Sequence, residues 1–448
     1  MKINPEIFKA YDIRGIYPED INEETVYNIG RAIIAFTGAK KIVVGKDIRN
    51  SSDALEKKLI AGITDQGADV IKIGVSSTPL IYHASGKLDV DVGIIITASH
   101  NPAEYNGLKL CRRNAVPIGE GTGMEEIKAL SINAEFNNPK SKGKIEENHE
   151  IKKEYLEYIA GFINKSNFQQ KKIVIDFANA MGILDKPVYE NIKTIAAPIY
   201  LYDNYDGNFP SHEPNPLKAR TLKNLQDKVI ENSADFGVSY DGDADRVGFI
   251  DETGEIVPMD YITALIAKEV LKKHPGGLVL IDLRSSNTVR EYIEAAGGRV
   301  DLCRVGHSLI KKQMRDEGAI FAGELSGHYY FDENFKAEIS TLAVIMIINL
   351  LNETGKKLSE LTAELKKYFH SGEINSEVKN KDEIMLKLKE KYKDGKLNEL
   401  DGIRIDYADW WFNIRPSNTE PKLRLNLEAK TKELMEQKKE KLLNIIRN

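Results

Sequence analysis

Cysteine is scarce in this chain, and its scarcity excludes several classes of protein. The 448 residues include two cysteines, Cys111 and Cys303, which lie far apart in the sequence. They offer neither a disulfide framework nor the close ligand spacing of a structural zinc site. We therefore expect the protein to work in a reducing compartment, the cytoplasm.

Long apolar runs are also missing. The longest, residues 342–351, is interrupted by Asn349. It is shorter than the ~20 residues that a membrane-spanning helix needs, so we interpret it as a buried helix. The first residues of the chain lack the apolar segment of a signal peptide. We expect a soluble protein without membrane contact.

Neither sign of charge is in large excess. The 63 basic and 68 acidic residues are well mixed along the chain and leave a net charge of -5. No basic stripe indicates a nucleic-acid surface, and no acidic tail indicates a solvating extension. The hydrophobic fraction of 42% is that of an ordinary globular protein. We expect no nucleic-acid partner.

What the chain does contain is a repeated alternation of strand-length apolar runs and helical patterns. Strands are predicted at residues 91–97, 234–240 and 278–283, among others, and helices at residues 52–66 and 307–317, among others. The alternation starts three times along the chain. Such alternation indicates βαβ units with largely parallel sheets.

The domain organisation follows from this pattern and from the length, which is too great for one core. Residues 132–150 are poor in apolar side chains and suggest a boundary, and after about residue 362 short neighbouring strands indicate antiparallel pairing. The predicted fold is three similar mixed α/β domains followed by an α+β C-terminal domain. The predicted boundaries are 1–150, 151–252, 253–365 and 366–448.

The first chemically informative loop is TASHNPA, residues 97–103, which directly follows the strand at 91–97. A strand that runs into a polar, proline-stopped loop lifts the Ser99 hydroxyl clear of the sheet, with His100 beside it. Open α/β sheets place their chemistry at such strand ends. Taken alone, Ser99 could equally be an ordinary turn or capping residue.

The second loop is DGDADR, residues 241–246, after the strand at 234–240. Its three aspartates repel one another unless a cation lies among them, and hard oxygen donors suit Mg²⁺. A solvated acidic turn is the alternative. An EF-hand needs glycine and glutamate at loop positions that hold Arg246 and Glu252 here, so only the glutamate matches.

Two further loops hold polar groups of other kinds. GELSGH, residues 323–328, offers a carboxylate, a hydroxyl and an imidazole that could grip sugar hydroxyls, and the alternative is a structural turn. RPSNTEP, residues 415–421, sets one guanidinium ahead of several hydroxyl and amide groups. Arginine binds phosphate in a two-pronged fashion, so this loop resembles a phosphate cradle, although a plain loop is the alternative.

Together with FKAYDIRG at residues 8–15, the four ordered loops resemble the α-D-phosphohexomutase superfamily, and within it the phosphomannomutase/phosphoglucomutase group. The resemblance covers essentially the whole chain. It implies an enzyme that interconverts hexose 1-phosphate and hexose 6-phosphate of mannose, glucose or both. A phosphoserine and a 1,6-bisphosphosugar intermediate would carry the reaction in a central cleft. Sugar phosphates are then the implied partners, and the protein would be a monomer or a small homo-oligomer.

The resemblance also implies roles for individual residues. Ser99 would be the phosphoserine, and a phosphoserine oxygen with Asp241, Asp243 and Asp245 would bind Mg²⁺. Glu324 and Ser326 would contact the sugar. The non-reacting phosphate would be held by Arg415, Ser417, Asn418 and Thr419. The cleft would be lined by Lys9, Tyr11, Arg14, His100, Lys109, Arg246, Arg284, His307 and His328, with Lys109 and His328 as candidate proton-transfer groups.

Three positions depart from the pattern of the group. Lys9 stands where many relatives have arginine, and Arg284 where many have lysine; both keep the charge but hold phosphate differently. Ala244 replaces a common glycine between two aspartates, which is tolerable if its φ angle is negative.

Three rival functions remain at this point. A metal-dependent sugar phosphatase would share the first two loops but would need neither a sugar grip nor a second phosphate site. A non-catalytic sugar-phosphate binding protein would have no need of Ser99 and the three aspartates. A phosphoglucosamine mutase shares the fold and the chemistry, and Leu325, where those relatives tend to carry glutamine, argues weakly against it.

Overall fold

The computed structural model of the chain describes residues 3–137, 139–164, 170–192, 196–416 and 422–447. These residues form four sheets that follow one another along the chain, of seven, five, five and six strands. The polar loops singled out above lie at the ends of these strands, so the sheets position the site.

The first sheet is mixed, with the strand order β1-β5-β4-β2-β3-β7 and β6 paired to β5. Strands β4, β2, β3 and β7 are parallel to one another. Strand β5 runs antiparallel to β4, and β1 runs antiparallel to β5 and so in the same direction as β4. Every residue of β4 is buried, because strand and helix layers cover both faces of this central strand. The strands are β1 Ile13–Ile16, β2 Lys41–Lys46, β3 Asp69–Val75, β4 Val92–Ile96, β5 Tyr105–Arg112, β6 Val116–Pro117 and β7 Ile145–Glu147. The helices are α1 Glu23–Thr37, α2 Ser52–Asp65, α3 Thr78–Lys87 and α4 Met124–Asn133.

The second sheet has the order β12-β11-β10-β8-β9, in which β10, β8 and β9 are parallel and β11 turns back beside β10. The antiparallel turn from β10 to β11 is the aspartate loop. The elements are α5 Glu150–Ala160, β8 Lys171–Asp176, α6 Lys186–Asn191, β9 Ala196–Leu201, α7 Lys223–Glu231, β10 Phe236–Tyr240, β11 Val247–Asp251 and β12 Ile256–Val257.

The third sheet repeats this plan with the order β14-β13-β15-β16-β17. Strands β14, β13 and β15 are parallel, and β16 turns back beside β15 through the loop that contains Glu324. The elements are α8 Met259–Lys273, β13 Leu278–Asp282, α9 Asn287–Ala295, β14 Arg299–Cys303, α10 His307–Glu317, β15 Phe321–Gly323, β16 Tyr329–Phe331, β17 Ala337–Glu338, α11 Ser340–Thr354 and α12 Leu358–Ala363.

The fourth sheet is antiparallel, with the order β18-β23-β22-β21-β20 and β19 paired to β23. Its own core includes Trp410, Phe412 and Leu427. The elements are β18 Phe369–His370, β19 Ile374–Glu377, α13 Lys381–Lys391, β20 Lys396–Asn398, β21 Ile403–Asp406, β22 Trp410–Pro416, β23 Lys422–Ala429 and α14 Lys432–Arg447.

Helix α11 joins the second and third sheets into one hydrophobic core. As expected from the apolar run at 342–351, this helix is largely buried: 11 of its 15 residues are buried, among them every residue from Ser340 to Ile348. The same cluster takes in side chains from the α3 face of the first sheet, such as Leu80 and Ile95, and from the second sheet, such as Phe249. The first three sheet units therefore share one hydrophobic core.

The predicted fold class is confirmed, and three details of the predicted pattern change. The sheets are mixed rather than largely parallel, because each of the first three ends in antiparallel strands beside its functional loop. The apolar-poor segment 132–150 contributes the edge strand β7 to the first sheet. The sequence pattern also predicts a helix near residues 186–195, but α6 ends at Asn191, and residues 193–195 lie outside the described residues. Within the described chain, no helix is long and apolar enough to cross a membrane.

Candidate active site

The first three sheets direct their functional loops to one place. Ser99 follows β4, Asp241 follows β10, and Glu324 follows β15. Each of these strands is parallel to its inner neighbour and is followed by an antiparallel turn, so each loop leaves the carboxyl end of the parallel core. Such strand ends are where open α/β sheets bind their ligands.

Ser99 has its backbone in the left-handed region, with φ 52°. Its buried Oγ donates a hydrogen bond to Asp241 Oδ2 at 2.9 Å and lies 3.1 Å from His100 Nδ1. Burial, together with the charges of Arg246 and Arg14, holds the pKa of His100 well below its ordinary value. The ring is therefore neutral at pH 7, and Nδ1 can accept a proton beside the Ser99 hydroxyl.

Arg14, in β1, contacts the loop of residues 97–103 that contains Ser99, called the serine loop below. Its Nε and Nη2 atoms lie 2.8 and 2.6 Å from Asp12 Oδ2. Its Nη1 donates to Asn101 Oδ1 at 2.6 Å. The guanidinium is thus oriented toward the loop by a two-pronged contact with Asp12.

The three aspartates of the second loop are completely buried, and one oxygen from each lies within 4.8 Å of the others. Burial and the charges of its two neighbours raise the pKa of Asp241 well above its ordinary value. Burial also acts on Asp245, but the charges of Lys109 and His328 outweigh it and hold that pKa well below its ordinary value. The ionised form of these three buried carboxylates therefore depends on positive charge placed beside them.

Close approach of the first two loops depends on a glycine. A Cβ on Gly242 would come within 2.1 Å of the Ser99 carbonyl oxygen, so only glycine allows the two loops to approach this closely.

Ala244 has φ 62°, so its backbone does not have the negative φ angle at which alanine would replace glycine without strain. Non-glycine residues hold left-handed backbone only where their surroundings impose it, and such strain concentrates at functional sites.

Lys109, from β5, supplies part of the positive charge. Its Nζ lies 2.5 Å from both Asp243 Oδ2 and Asp245 Oδ2. Burial lowers the pKa of Lys109, but the two carboxylates outweigh burial and raise it above its ordinary value. The side chain is therefore an ammonium cation. Thr78 Oγ1 donates to the same Asp243 oxygen at 2.5 Å.

The donor set at this triad fits a divalent cation. Asp243 Oδ1 is buried and has no hydrogen-bond partner among the described residues. One carboxylate oxygen from each of the three aspartates lies within 4.8 Å of the others, and Ser99 Oγ lies 2.9 Å from Asp241 Oδ2. These four side chains together offer a set of oxygen ligands. Oxygen ligands of this kind, carboxylates above all, are those that Mg²⁺ prefers.

His328, in the third loop, connects that loop to the aspartates of the second loop. Nδ1 of this ring lies 2.9 Å from Glu324 Oε2 and 2.7 Å from Ser326 Oγ, and Nε2 lies 3.2 Å from Asp245 Oδ1. Burial lowers the pKa of His328, but the two carboxylates outweigh burial and raise it to about 9. Burial raises the pKa of Glu324, but the His328 imidazolium and the charge of Arg284 outweigh burial and lower this pKa to about 2.

Two more predicted cleft residues meet above this loop. The rings of Tyr11 and His307 lie edge to face, with centroids 5.7 Å apart. The Tyr11 hydroxyl donates to the carbonyl of Val305 at 3.0 Å, which links the first sheet unit to the third. Arg246 reaches the same area, with Nε 3.3 Å from His328 Nε2.

Arginines from the third and fourth sheet units converge on one carboxylate. Glu373 Oε2 lies 3.4 Å from Arg284 Nη1 and 3.5 Å from Arg415 Nη2, and Glu373 Oε1 lies 3.6 Å from Arg424 Nη1. Arg284 is also paired with Asp282 at 2.5 Å. The Nε atoms of Arg415 and Arg424 are buried and have no hydrogen-bond partner within the described ranges. The cluster therefore has donors that an anion can use.

The structure thus brings most of the predicted residues together. The clustered residues are Tyr11, Arg14, Ser99, His100, Lys109, Asp241, Asp243, Asp245, Arg246, His307, Glu324, Ser326 and His328, with Arg284 and Arg415 in the arginine cluster. Lys9 is exposed, and its backbone N–H donates to the carbonyl oxygen of Asp12 at 2.8 Å. Ser417, Asn418 and Thr419 lie outside the described residues.

Four models of phosphoglucomutase/phosphomannomutase domains match the chain in order. The alpha/beta/alpha domains I, II and III match residues 5–138, 153–254 and 258–368, and the C-terminal domain matches residues 373–445. The chain belongs to the phosphoglucomutase/phosphomannomutase family.

Individual members of this family agree over the full length. A phosphomannomutase of Methanocaldococcus jannaschii is 44% identical over 443 residues, which are 98% of this chain and 97% of that protein. A phosphomannomutase of Escherichia coli K12 is 37% identical, over 98% of each chain. The solved structure of a phosphoglucomutase/phosphomannomutase family protein from Burkholderia thailandensis has a TM-score of 0.89 at 28% identity, covering 99% and 97% of the two chains. The chain is accordingly a hexose phosphate mutase, an isomerase that transfers a phosphoryl group within its substrate.

Residues of this family site that the sequence reasoning missed include Thr78, Arg49 and Glu373. Thr78 and Arg49 lie in or near the segments that follow β3 and β2, at the same sheet edge as Ser99. The rule that polar residues after parallel strands converge could have found these two residues. Glu373 gave no such signal, because it lies between short strands of an antiparallel sheet.

Proposed function

We propose that the enzyme interconverts the 1-phosphates and 6-phosphates of mannose and glucose, with Ser99 as the phosphoryl carrier. The observation that carries this proposal is the position of Ser99 Oγ, 2.9 Å from the buried aspartate triad. The loop of Glu324 joins the triad through His328. A phosphorylatable hydroxyl, a cation site and a sugar-binding loop thus share one cleft.

The reaction balances without an added reactant. The phosphorus–oxygen bond at Ser99 breaks as a bond forms to the free hydroxyl oxygen of the sugar monophosphate, which gives a 1,6-bisphosphosugar. The sugar hydroxyl loses its proton, and Ser99 Oγ regains one when it is dephosphorylated. The bisphosphosugar then turns through about half a revolution and returns its other phosphoryl group to Ser99.

Protein groups are poised to hold and move these protons. Neutral His100 faces Ser99 Oγ at 3.1 Å and can accept its proton when the serine is phosphorylated again. Lys109 and His328 carry their protons in this state, so they act first as donors or as positive charges. Phosphoryl transfer depends mainly on positioning and on neutralisation of charge, which this group of cations supplies.

We propose Mg²⁺ as the resident cation, held by Asp241, Asp243, Asp245 and a phosphoserine oxygen. A divalent cation there would draw negative charge from the transferring phosphoryl group. A phosphoserine has close to two negative charges at neutral pH, which the buried carboxylates alone would repel.

The sugar-binding loop favours more than one hexose. Glu324 and Ser326 are the proposed contacts to the sugar O3 and O4 hydroxyls, which roughly exchange places when the intermediate turns. The same pair of contacts then serves both orientations. Glucose and mannose differ only at C2, which this grip does not read, so we expect both to be substrates.

The non-reacting phosphate is proposed to bind at the arginine cluster of the fourth unit. Arg415 contributes its buried Nε, which has no hydrogen-bond partner among the described residues. By their similarity to the family motif, Ser417, Asn418 and Thr419 would complete the phosphate site, and Lys9 would reach the cleft from the first unit. We also propose the domain boundaries 1–150, 151–252, 253–365 and 366–448, and a cytoplasmic location, which the two buried free thiols favour.

The decisive test is Ser99→Ala. We expect normal folding and loss of nearly all turnover, because no other group holds the phosphoryl between the two half-reactions. Intact-mass measurement of the wild-type protein should show a fraction heavier by one phosphate, which maps to Ser99. Ser131→Ala, which removes a buried hydroxyl bonded to Ile127 in α4, is the matched control and should leave turnover unchanged. Substantial activity in Ser99→Ala would refute the proposed carrier.

A phosphoglucosamine mutase is the second candidate, because it needs the same carrier and cation. A coupled assay of the purified protein with mannose, glucose and glucosamine 1-phosphates separates the two candidates. The fastest turnover on glucosamine 1-phosphate would favour the second.

A further inference from the structure

Arg49 is a buried arginine that lies under the serine loop and has no part in the mechanism above. It is 2% exposed, and it belongs to the segment between β2 and α2. Its Nη2 donates to the carbonyl oxygens of Ser99 and Asn101, both at 2.7 Å. Its Nη1 donates to the carbonyl oxygens of Pro102 at 2.5 Å and Tyr105 at 3.0 Å. One guanidinium therefore holds the backbone of the whole serine loop.

The guanidinium is fixed on its other side. Its Nε lies 3.1 Å from Asp47 Oδ2, and its own backbone N–H donates to Asp47 Oδ1 at 3.0 Å. Ser52 Oγ donates to the same Oδ1 at 2.6 Å. The ring of Phe209, from the second sheet unit, stacks on the guanidinium with its centroid 4.9 Å from Cζ. A buried arginine that is paired, hydrogen-bonded and stacked has little freedom to reorient.

The loop needs such a support because its reactive residue is strained. Ser99 is held at φ 52°, a left-handed conformation that a non-glycine residue keeps only where its surroundings impose it. The Ser99 carbonyl receives the Arg49 bond and lies directly against Gly242 of the aspartate loop. The orientation of the Ser99 peptide sets where Oγ points relative to Asp241.

We propose that Arg49 is a positioning residue for phosphoryl transfer: it clasps the serine loop and holds Ser99 Oγ in line with the cation site. The inference rests on the proposed role of Ser99 as carrier. Arg49 has no N–H left for substrate or for the transferring group, because the two Nη atoms bind four backbone carbonyls and Nε binds Asp47. It acts on the rate of the chemical step and leaves substrate affinity unchanged.

Lysine cannot replace this clasp. A lysine ammonium is a single point of charge with three donors, whereas the guanidinium has a planar fork whose two Nη atoms each reach two carbonyls. Arg49→Lys keeps the charge beside Asp47 but leaves some loop carbonyls without their donor. A displacement of about 1 Å at the reacting atom costs on the order of 100-fold in rate.

The first experiment compares Arg49→Lys with the wild type in steady-state kinetics on glucose 1-phosphate. We expect kcat to fall about 100-fold while KM stays within about threefold. Arg113→Lys is the matched control, an arginine of the same sheet unit that pairs with exposed Asp89, and it should change neither constant. A kcat for Arg49→Lys within threefold of the wild type would overturn the proposal, as would a loss expressed mainly in KM.

Two further measurements keep the inference testable if Arg49→Lys folds poorly. Phe209→Leu removes the stacked ring from the guanidinium but leaves every Arg49 hydrogen bond, and we expect a fall in kcat of several-fold. In Arg49→Ala, added ethylguanidinium should restore part of kcat, which a general loss of folding would not allow. An unchanged kcat in Phe209→Leu together with no rescue of Arg49→Ala would refute the clasp.

Failure of the clasp and failure of the carrier can be told apart. Hydrogen exchange of the loop amides at residues 98–105 reports on the backbone whichever residue carries phosphate. We expect exchange at least tenfold faster in Arg49→Lys than in the wild type, and unchanged in Ser99→Ala. Slow exchange in Arg49→Lys would refute the clasp, whereas activity in Ser99→Ala would refute the carrier alone.

Discussion

Asp185 places a carboxyl in the core between the second and third sheet units, where its protonation should control stability. The residue is 1% exposed. Its Oδ2 accepts hydrogen bonds from Thr341 Oγ1 at 2.6 Å and from the Tyr155 hydroxyl at 3.4 Å, and Oδ1 has no partner among the described residues. Burial raises the pKa of Asp185 from 3.8 to about 7, against these two hydrogen bonds. The folded protein therefore keeps a proton that the unfolded chain has released.

The size and sign of the effect follow from proton linkage. Because the folded-state pKa is the higher one, the protein loses stability as the pH rises from about 4 to about 7, and the loss is complete above that. The gap between 3.8 and about 7 corresponds to about 4 kcal/mol, at 1.36 kcal/mol per pKa unit. Asp185→Asn keeps the shape of the protonated carboxyl without a titrating proton, so it removes this pH dependence.

The assay is calorimetric melting of the wild type and Asp185→Asn at pH 5 and pH 8. Between these two pH values the difference between the proteins should change by about 3 kcal/mol in favour of the variant. At roughly 2 °C per kcal/mol for a large domain, this is a relative rise in Tm of ~6 °C. Asp227→Asn, on the exposed face of α7, is the control and should show a flat difference. A flat difference for Asp185→Asn would mean that the carboxyl is already ionised in the folded protein, which would refute the reasoning.

Three further predictions concern the reaction. Activity should require Mg²⁺ and vanish with chelator, and full activity in excess chelator would refute the proposed metal site. Asp243→Asn should weaken Mg²⁺ binding at least tenfold, measured by calorimetry, because one fewer negative charge faces the cation. Mannose 1-phosphate and glucose 1-phosphate should have similar kcat/KM, and glucosamine 1-phosphate a lower one. A preference of about a thousandfold between the first two, ~4 kcal/mol of differential transition-state binding, would show that C2 is read. Arg415→Ala should raise KM and release more free bisphosphosugar. We expect the fourth unit to close on substrate about a hinge near residues 360–375, where the sequence pattern changes, and small-angle scattering should show this closure in the wild type alone. An unchanged KM and no closure in the wild type would contradict both expectations.

Local sequence determined the fold class and most of the site. The apolar runs at 91–97 and 234–240 have the length and composition of buried strands, and the run at 342–351 has those of a buried helix. The aspartate loop follows directly after the second of these strands. Polar residues that follow the parallel strands of a sheet collect at the carboxyl edge of that sheet, whatever the intervening helices contain. Ser99, Asp241, Asp243, Asp245 and their neighbours could therefore be predicted from positions along the chain.

The tertiary structure alone decided that the loop edges of different sheets meet, and which groups pair there. Lys109 lies between two aspartates more than 130 residues away, and Arg49 binds four carbonyls about 50 residues away. No local pattern records such contacts, because a side-chain donor can reach any acceptor that the packing brings near. The protonation of Asp185 depends in the same way on burial between two units, and burial is a property of the assembled core rather than of the residue.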